Sequence, residues 1–401
     1  MKSIKIAHIA KCSHNIGEGA MINGMHASIC QDINSNIKFD CIDRKLFQAL
    51  PGRELMSKSL SKRFDASFVE EMNKKYNLVI LGGGGLFRTG QYDNLGGMAI
   101  AGDLDALNKL EIPWVVYGVG DNRFSSDDDF QYGPKLSKLI EMTQNQTKGI
   151  VSFRNDLTKD RLKSFISNKL LEEVFVIPDP GLYIKSSKIK HPLIRKNKKN
   201  IILNLAGDRA QQRLSVANTA KFENAKASFI SHILDTIEMI AEESSINVII
   251  APHIPSDYPI VLDVINNASK RTYGKSALIR ELFDINHCTR GYKQASNFFS
   301  LYSQADLAIV MRGHGAICSA GIGTPFVSID AHPKVRGFMK DFGLGDYSIS
   351  PNDVNFSSKL FMMSMSLLSD NQIWMNKRDK GVLAARRVTK EFNRKISQLL
   401  S

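Results

Sequence analysis

Short runs that are apolar at nearly every position, rich in valine and isoleucine and closed by glycine or polar turn residues, recur along the chain. In the first half they are IKIAHIA (4–10), KFDCID (38–43), NLVILGGGG (77–85), WVVYGVG (114–120), GIVSFR (149–154) and VFVIPDP (174–180). A second series holds NIILNLAG (200–207), NVIIAPH (247–253), DLAIVMRG (306–313) and PFVSID (325–330), with helical stretches between them such as 225–243 and 292–305. A strand that is apolar on both faces belongs in a parallel sheet covered above and below by helices. Two series of alternating strand and helix predict an α/β protein of two doubly wound, Rossmann-like domains that face each other across a cleft. The expected division is residues 1–184, a basic linker at 185–199, residues 200–356, and a C-terminal segment at 357–401. That last segment contains two helices, near 357–368 and 371–400, which are expected to pack across both domains.

Composition narrows this picture. A length of 401 residues agrees with two domains of ordinary size. The 43% hydrophobic and 23% charged fractions are those of a folded globular protein. No stretch offers the roughly 18 uninterrupted apolar residues of a membrane span, and Lys11 cuts short the first apolar run, which argues against a secretory signal. The five cysteines (Cys12, Cys30, Cys41, Cys288 and Cys318) form no CxxC pair. Neither a zinc site nor a disulfide framework is therefore expected, only free thiols in a reducing cytoplasm.

The formal charge of +13 predicts attraction to anionic partners. No helix-turn-helix, zinc-finger or aromatic RNA-binding signature directs that charge to nucleic acid. An anionic membrane surface and a phosphorylated small substrate are the remaining classes. Some of the excess is local: residues 185–200, KSSKIKHPLIRKNKKN, hold seven Lys or Arg and no carboxylate, and read as a solvated linker. The last helix carries Lys377, Arg378, Lys380, Arg386, Arg387, Lys390, Arg394 and Lys395, a basic face for water or for lipid headgroups.

In open α/β sheets ligands sit outside the carboxyl ends of the strands, so the residues closing each apolar run are the candidates for chemistry. GGGGLFRTGQYD (82–93) lets backbone amides approach a ligand closely, or simply makes a tight turn. It is neither a GxGxxG fingerprint nor a Walker loop. SHNIGEGAMI (13–22) opens a helix whose first amides suit an anion, with Glu18 as a first-turn acid. In SFRND (152–156), Arg154 either pairs with Asp156 or points toward a ligand, and Asp179 stands on a rigid PDP mount. The most informative stretch follows DLAIVM: Arg312 and His314 flank Gly313, and Lys334 begins a helix after the next strand. Arginine suits bidentate binding of carboxylate or phosphate, lysine adds a compact charge, and histidine exchanges a proton near neutral pH. These three should share one rim.

NIGEGA, GGGGLF, VVYGVG, VSFRND, IPDPGL and above all RGHGAICSAGIGTPFVSIDAHPKVRGFMKDFGL resemble the polysaccharide pyruvyltransferase family over most of the chain. Gly313 stands where that family commonly has a bulky residue, and Glu18 where it has aspartate. The resemblance implies a GT-B-like fold and transfer of the enolpyruvyl unit of phosphoenolpyruvate to two sugar hydroxyls, giving a pyruvate ketal. It implies donor binding by Arg154, Arg312, Gly313 and Lys334 in a donor-side second domain, and His314 as the acid. Acceptor or backbone contacts would come from Asn15, Gly17, Glu18, Gly83, Gly84 and Gly85 in an acceptor-side first domain. No metal and no cofactor beyond the donor substrate is expected. The acceptor is a sugar, lipid-linked to polyprenyl diphosphate or free, met in the cytoplasm or at the inner membrane face. Two rivals stand beside this reading. A nucleotide-sugar glycosyltransferase on the same fold would need a ribose-binding glutamate late in the second domain, and a non-catalytic glycan-binding protein would have little use for the arginine, histidine and lysine together.

Overall fold

The computed structural model describes residues 3–10, 12, 15–33, 36–43, 63–87, 95–124, 131, 133–145, 148–215, 219–271, 284–285 and 294–401. Lys11, Ser13, residues 88–93, Cys288 and residues 292–293 lie outside them. The chain forms two compact units: residues 1–13, 24–180 and 384–401, and residues 14–23 and 181–383.

The first unit is built on six strands: β1 (Ile4–Ala10), β2 (Ile37–Asp43), β3 (Leu78–Phe87), β4 (Trp114–Asp121), β5 (Gly149–Arg154) and β6 (Phe175–Ile177). They pair in parallel in the order β2-β1-β3-β4-β5-β6. Its helices are the later part of α1 (Ile16–Asp32), then α2 (Ala66–Lys75), α3 (Leu104–Asn108), α4 (Gly133–Asn145), α5 (Thr158–Leu162) and α6 (Asn168–Glu172). The unbroken apolar strands follow from burial on both faces. Along β3, Leu78 and Ile80 join Met25 and Ile29 of α1 in one layer, while Val79 and Leu81 join Met72 of α2 and Leu139 of α4 in the other. The glycine run forces an irregularity. Gly82, Gly83 and Gly84 have φ of 122°, 70° and 106°, and the β3–β4 register shifts between Gly84 and Phe87. Only glycine adopts such a path freely, and a Cβ on Gly82 would stand 2.7 Å from Val119.

The second unit carries β7 (Lys199–Asn204), β8 (Ile246–Ile250), β9 (Asp284–Ile285), β10 (Leu307–Val310), β11 (Phe326–Ile329) and β12 (Ser348–Ile349), parallel in the order β12-β11-β10-β7-β8-β9. Strand order reverses between β7 and β10, and at such a switch point a crevice opens outside the strand ends. The helices are α7 (Ala210–Arg213), α8 (Phe222–Glu243), α9 (Tyr258–Lys270), α10 (Ala295–Tyr302), α11 (Gly313–Ile322), α12 (Pro333–Asp341), α13 (Phe356–Ser369) and α14 (Gln372–Leu400). The edge strands β9 and β12 have two residues each, too short for any hydrophobic period to announce them.

Three segments differ from the expected layout. Residues 14–23, expected in the first domain, belong to the second unit. The basic stretch is not a free linker: it belongs to the second unit, where Ser187 N–H donates to the Ser296 carbonyl and His191 N–H to Gln304. α13 packs within the second unit on α8, through Phe356 against Phe229, so of the two C-terminal helices α14 alone is divided between the units. Residues 372–383 of α14 belong to the second unit, with Trp374 on Phe326, and residues 384–400 to the first, with Phe392 on Tyr117 and Phe175. Its basic face is partly engaged, Arg386 pairing with Asp32 and Lys377 with Asp346. Among the described residues no helix is long and apolar enough to cross a membrane.

Phe392 is fully buried among these rings, so Phe392→Ala should lower unfolding free energy by about 3–5 kcal/mol in urea titrations. Val354→Ala, at 93% exposed, should stay within about 0.5 kcal/mol. Equal losses in the two variants would contradict the placement of this helix in the core.

Candidate active site

The second unit gathers its functional side chains where β7, β8, β10 and β11 end. Arg312 follows β10 as the N-cap residue of α11, and its backbone N–H donates to Asn204 Oδ1 at the end of β7, 3.2 Å away. Its Nε donates to Asp257 Oδ2 at 2.7 Å, and its Nη2 also meets Asp257 and Asp208. Asp257 is fully buried, and it accepts from the backbone N–H groups of Gly207, His253 and Ile254 at 3.0, 2.9 and 3.2 Å. One carboxylate thereby ties together the loops that leave β7, β8 and β10. Arg213 brackets Asp208 from the other side, Nη2 lying 3.1 and 3.3 Å from its two oxygens.

His314 is the second residue of α11, in the turn where backbone amides have no intrahelical acceptor. The start of α1, which belongs to this unit, lies directly on it: a Cβ added to Gly17 would collide with the His314 ring. Asn15 holds that helix end by accepting from Gly17 N–H at 3.0 Å, and Ile16 N–H donates to the His253 carbonyl at 3.2 Å. His253 is buried, its Nε2 2.9 Å from the Tyr302 hydroxyl, with Phe298 and Phe299 edge-on. Burial, then the charges of Arg312 and His314, push its imidazole well below the ordinary value, so it stays neutral.

Lys334 enters from the first turn of α12, which is capped by His332 Nδ1 accepting from the Lys334 N–H. Its stem passes beside Gly313: a Cβ there would stand 3.4 Å from Lys334 Cε, in ordinary van der Waals contact. Burial works to raise the Asp208 carboxyl, but Arg312 and Arg213, with Lys334, outweigh it and hold it down at about 2. The rim therefore sets Arg213, Arg312 and Lys334 against the carboxylates of Asp208 and Asp257. The N-termini of α1, α11 and α12 add positive potential to this rim.

The structure brings together Arg312, Gly313, His314 and Lys334; Gly17, expected on the acceptor side of the first domain, lies instead in this unit against His314. Arg312 is an anchored cation rather than an open one, since Nε and Nη2 are occupied by carboxylates. Asn15 caps α1 and Gly17 packs against His314, while Glu18 in the first turn donates its backbone N–H to Asn15 Oδ1. Arg154 needs correction. It lies in the first unit, only 3% exposed, with Nε 2.6 Å from Asp156 and Nη1 2.8 Å from Asp179. Gly120 leaves the space its guanidinium fills. Burial opposes its charge, yet the two carboxylates hold it above its ordinary value. It centres a buried ion triad, with Nε and Nη1 committed to the carboxylates of Asp156 and Asp179. Gly83 and Gly84 are buried and Gly85 half-buried in the irregular part of β3, where a Cβ on Gly85 would meet Asn122 at 2.6 Å. Asp208, Arg213, His253 and Asp257 were not foreseen as site residues. Their signal is weak, a polar residue a few positions past the ends of β7 and β8. Cys41, for which cysteine spacing predicts no site, lies together with His8 and His26.

Comparison with known proteins bears on the family and the fold. The polysaccharide pyruvyl transferase family model matches residues 27–333, a span that takes in Arg312 and His314 and stops one residue before Lys334. No curated protein shows a significant sequence match. Among solved structures, a UDP-N-acetylglucosamine 2-epimerase is similar with a TM-score of 0.54 at 13% identity, covering 98% of this chain and 96% of that one. The UDP-GlcNAc 2-epimerase from Methanocaldococcus jannaschii gives 0.51 at 12% identity, covering 92% and 94%. A glycosyltransferase from Rickettsia africae ESF-5 gives 0.54 at 10% identity, covering 100% and 99%. At such identities the likeness shows the fold, two parallel-sheet α/β units of GT-B type.

Arg154→Ala strands two buried carboxylates, and urea unfolding should show a loss of about 3–5 kcal/mol; a loss below about 1 kcal/mol would contradict the triad. For His253 the folded value lies below the unfolded value of 6.5. Below that pH the unfolded chain takes up a proton that the folded one refuses, so stability present at pH 7 is lost as pH falls. The stability difference between wild type and His253→Gln should shrink from pH 7 to pH 5, and a constant difference would refute the neutral assignment.

Proposed function

We propose, for a chain that belongs to the polysaccharide pyruvyl transferase family, that it moves the pyruvyl unit of phosphoenolpyruvate onto two hydroxyls of one sugar in a cell-surface polysaccharide precursor. The products are a cyclic ketal and phosphate. The observation that carries this reading is the convergence, at the switch point of one sheet, of His314 with Lys334 and Arg312 at the start of α11.

Phosphoenolpyruvate puts a carboxylate and a phosphate on a three-carbon skeleton, so its site needs concentrated positive charge. Lys334, the first-turn amides of α11 and the Nη1 edge of Arg312 supply it. Asp257 holds the guanidinium in place before any ligand arrives, so little reorganisation is needed on binding. Asp208 on the same guanidinium opposes an incoming anion, and Arg213 offsets much of that opposition.

In the reaction, protonated His314 gives its proton to the methylene carbon, and the double-bond electrons form the new C–H bond. The central carbon becomes electrophilic, and one sugar hydroxyl adds to it, returning its proton to His314. The C–O bond to phosphate then breaks with its electron pair leaving on oxygen, where Lys334 and the helix end receive the charge. The second hydroxyl closes the ring and its proton leaves with phosphate. Gly17 keeps the imidazole face close-packed, which restricts the ring to one orientation.

Phosphate release from phosphoenolpyruvate in the presence of acceptor saccharide tests this, together with ligand-dependent melting. Phosphoenolpyruvate should raise the melting temperature, whereas stabilisation by a nucleoside diphosphate alone would favour a glycosyltransferase. His314→Ala should lose turnover by at least about 10³-fold while keeping donor-dependent stabilisation, and Lys334→Ala should weaken donor binding about tenfold or more. Undiminished turnover in His314→Ala would remove it from the mechanism.

A further inference from the structure

A second cluster of chemically capable side chains lies in the first unit, apart from everything used above. His8 on β1 and Cys41 on β2 are register partners in the parallel pair, so they share a face of the sheet. His26 reaches the same point from α1, and Cys12 follows two residues after β1 ends. One ligand atom from each of His8, His26 and Cys41 lies within 4.8 Å of the others, and Cys12, whose thiol donates to the Ala10 carbonyl at 3.6 Å, stands in the turn that follows β1. His8 is buried, and His26, Cys41 and Cys12 are half-buried.

The orientation of the rings adds an independent observation. His8 Nε2 lies 3.1 Å from the Gly82 carbonyl, which can only accept, so Nε2 carries the hydrogen and Nδ1 presents its lone pair. That lone pair faces His26 Nε2 at 2.9 Å. A carbonyl holding the far nitrogen of an imidazole is how metal-bound histidines are commonly oriented. His26 is stacked on Phe39 with centroids 3.8 Å apart and planes 10° apart, which fixes its plane too. In a tetrahedral zinc site with bonds to nitrogen of about 2.0–2.1 Å, two nitrogens stand roughly 3.3 Å apart. The pair need open by only a few tenths of an ångström.

We propose that His8 Nδ1, His26 Nε2 and the thiolates of Cys41 and Cys12 bind one divalent transition-metal ion of the zinc type, fastening α1 to the β1–β2 edge of the sheet. Two nitrogens and two sulfurs in tetrahedral array select zinc over magnesium or calcium, which take oxygen. Binding breaks the two S–H bonds and forms two metal–sulfur bonds, releasing two protons to water, so the charge of the ion is balanced by two thiolates. This replaces the expectation, drawn from cysteine spacing, that no zinc site exists. Spacing rules register ligands that share one loop, whereas these come from three elements and the turn after β1.

The test uses the reduced full-length protein, stripped with a chelator and titrated with cobalt(II) chloride, then zinc chloride. One equivalent of cobalt should produce tetrahedral d–d bands and a thiolate-to-cobalt charge-transfer band, both abolished by one equivalent of zinc. Zinc should also raise the melting temperature. Cys41→Ser and His26→Gln should each weaken cobalt binding by at least about tenfold and alter the spectrum, while Cys30→Ser should leave it unchanged. If Cys41→Ser fails to fold, Cys12→Ser and His26→Gln carry the comparison. A spectrum of hydrated cobalt only, or unchanged binding in His26→Gln, overturns the proposal.

Discussion

The candidate site depends on one buried contact, the Asp257 carboxylate against the Arg312 guanidinium. Asp257 also takes three backbone N–H groups from the loops after β7 and β8, so it serves as the common acceptor for chain ends that would otherwise be independent. A carboxylate without solvent exposure must be paired and hydrogen-bonded to remain charged, and breaking such a pair typically costs about 3–5 kcal/mol because the partner is left uncompensated. Everything chemical in the unit is placed relative to it. Gly313 follows the anchored arginine and lets the lysine stem pass. His314 comes next, and the glycine at the start of α1 closes against it.

This anchoring separates two cations that look alike in the sequence. Arg154 and Arg312 both end an apolar run, and both meet two aspartates. Around Arg154 the carboxylates of Asp156 and Asp179 come from its own strand end and the next, and the group is sealed at 3% exposure. Around Arg312 one carboxylate is sealed and the other, Asp208, is 33% exposed and shared with Arg213, with Lys334 close enough to act on it. The first arrangement closes on itself. The second stays open at Asp208, with the starts of two helices beside it.

Much of this was legible in the sequence, for physical reasons that can be named. Strands β1 and β5 match their predicted runs end to end, because both are mostly apolar and closed by polar or turn residues. β9 and β12 were invisible because two residues carry no period. The grouping of Arg312, His314 and Lys334 was legible because β10 and β11 are parallel neighbours, so residues just past their ends must lie together. Asp257 was not, since it stands 55 residues from Arg312 and only the pairing order brings β8 near β10 through β7. The same limit hid the partnership of His8, His26 and Cys41, which register and helix packing assemble from separate places.

A crystal structure of the protein with phosphoenolpyruvate bound would test the central claim most directly. The account predicts the donor at the ends of β10 and β11, its phosphate within hydrogen-bond distance of Lys334 Nζ and the first amides of α11, with Arg312 still held by Asp257. Donor density away from this rim, or a donor bound while Lys334 and His314 make no contact with it, would contradict the account.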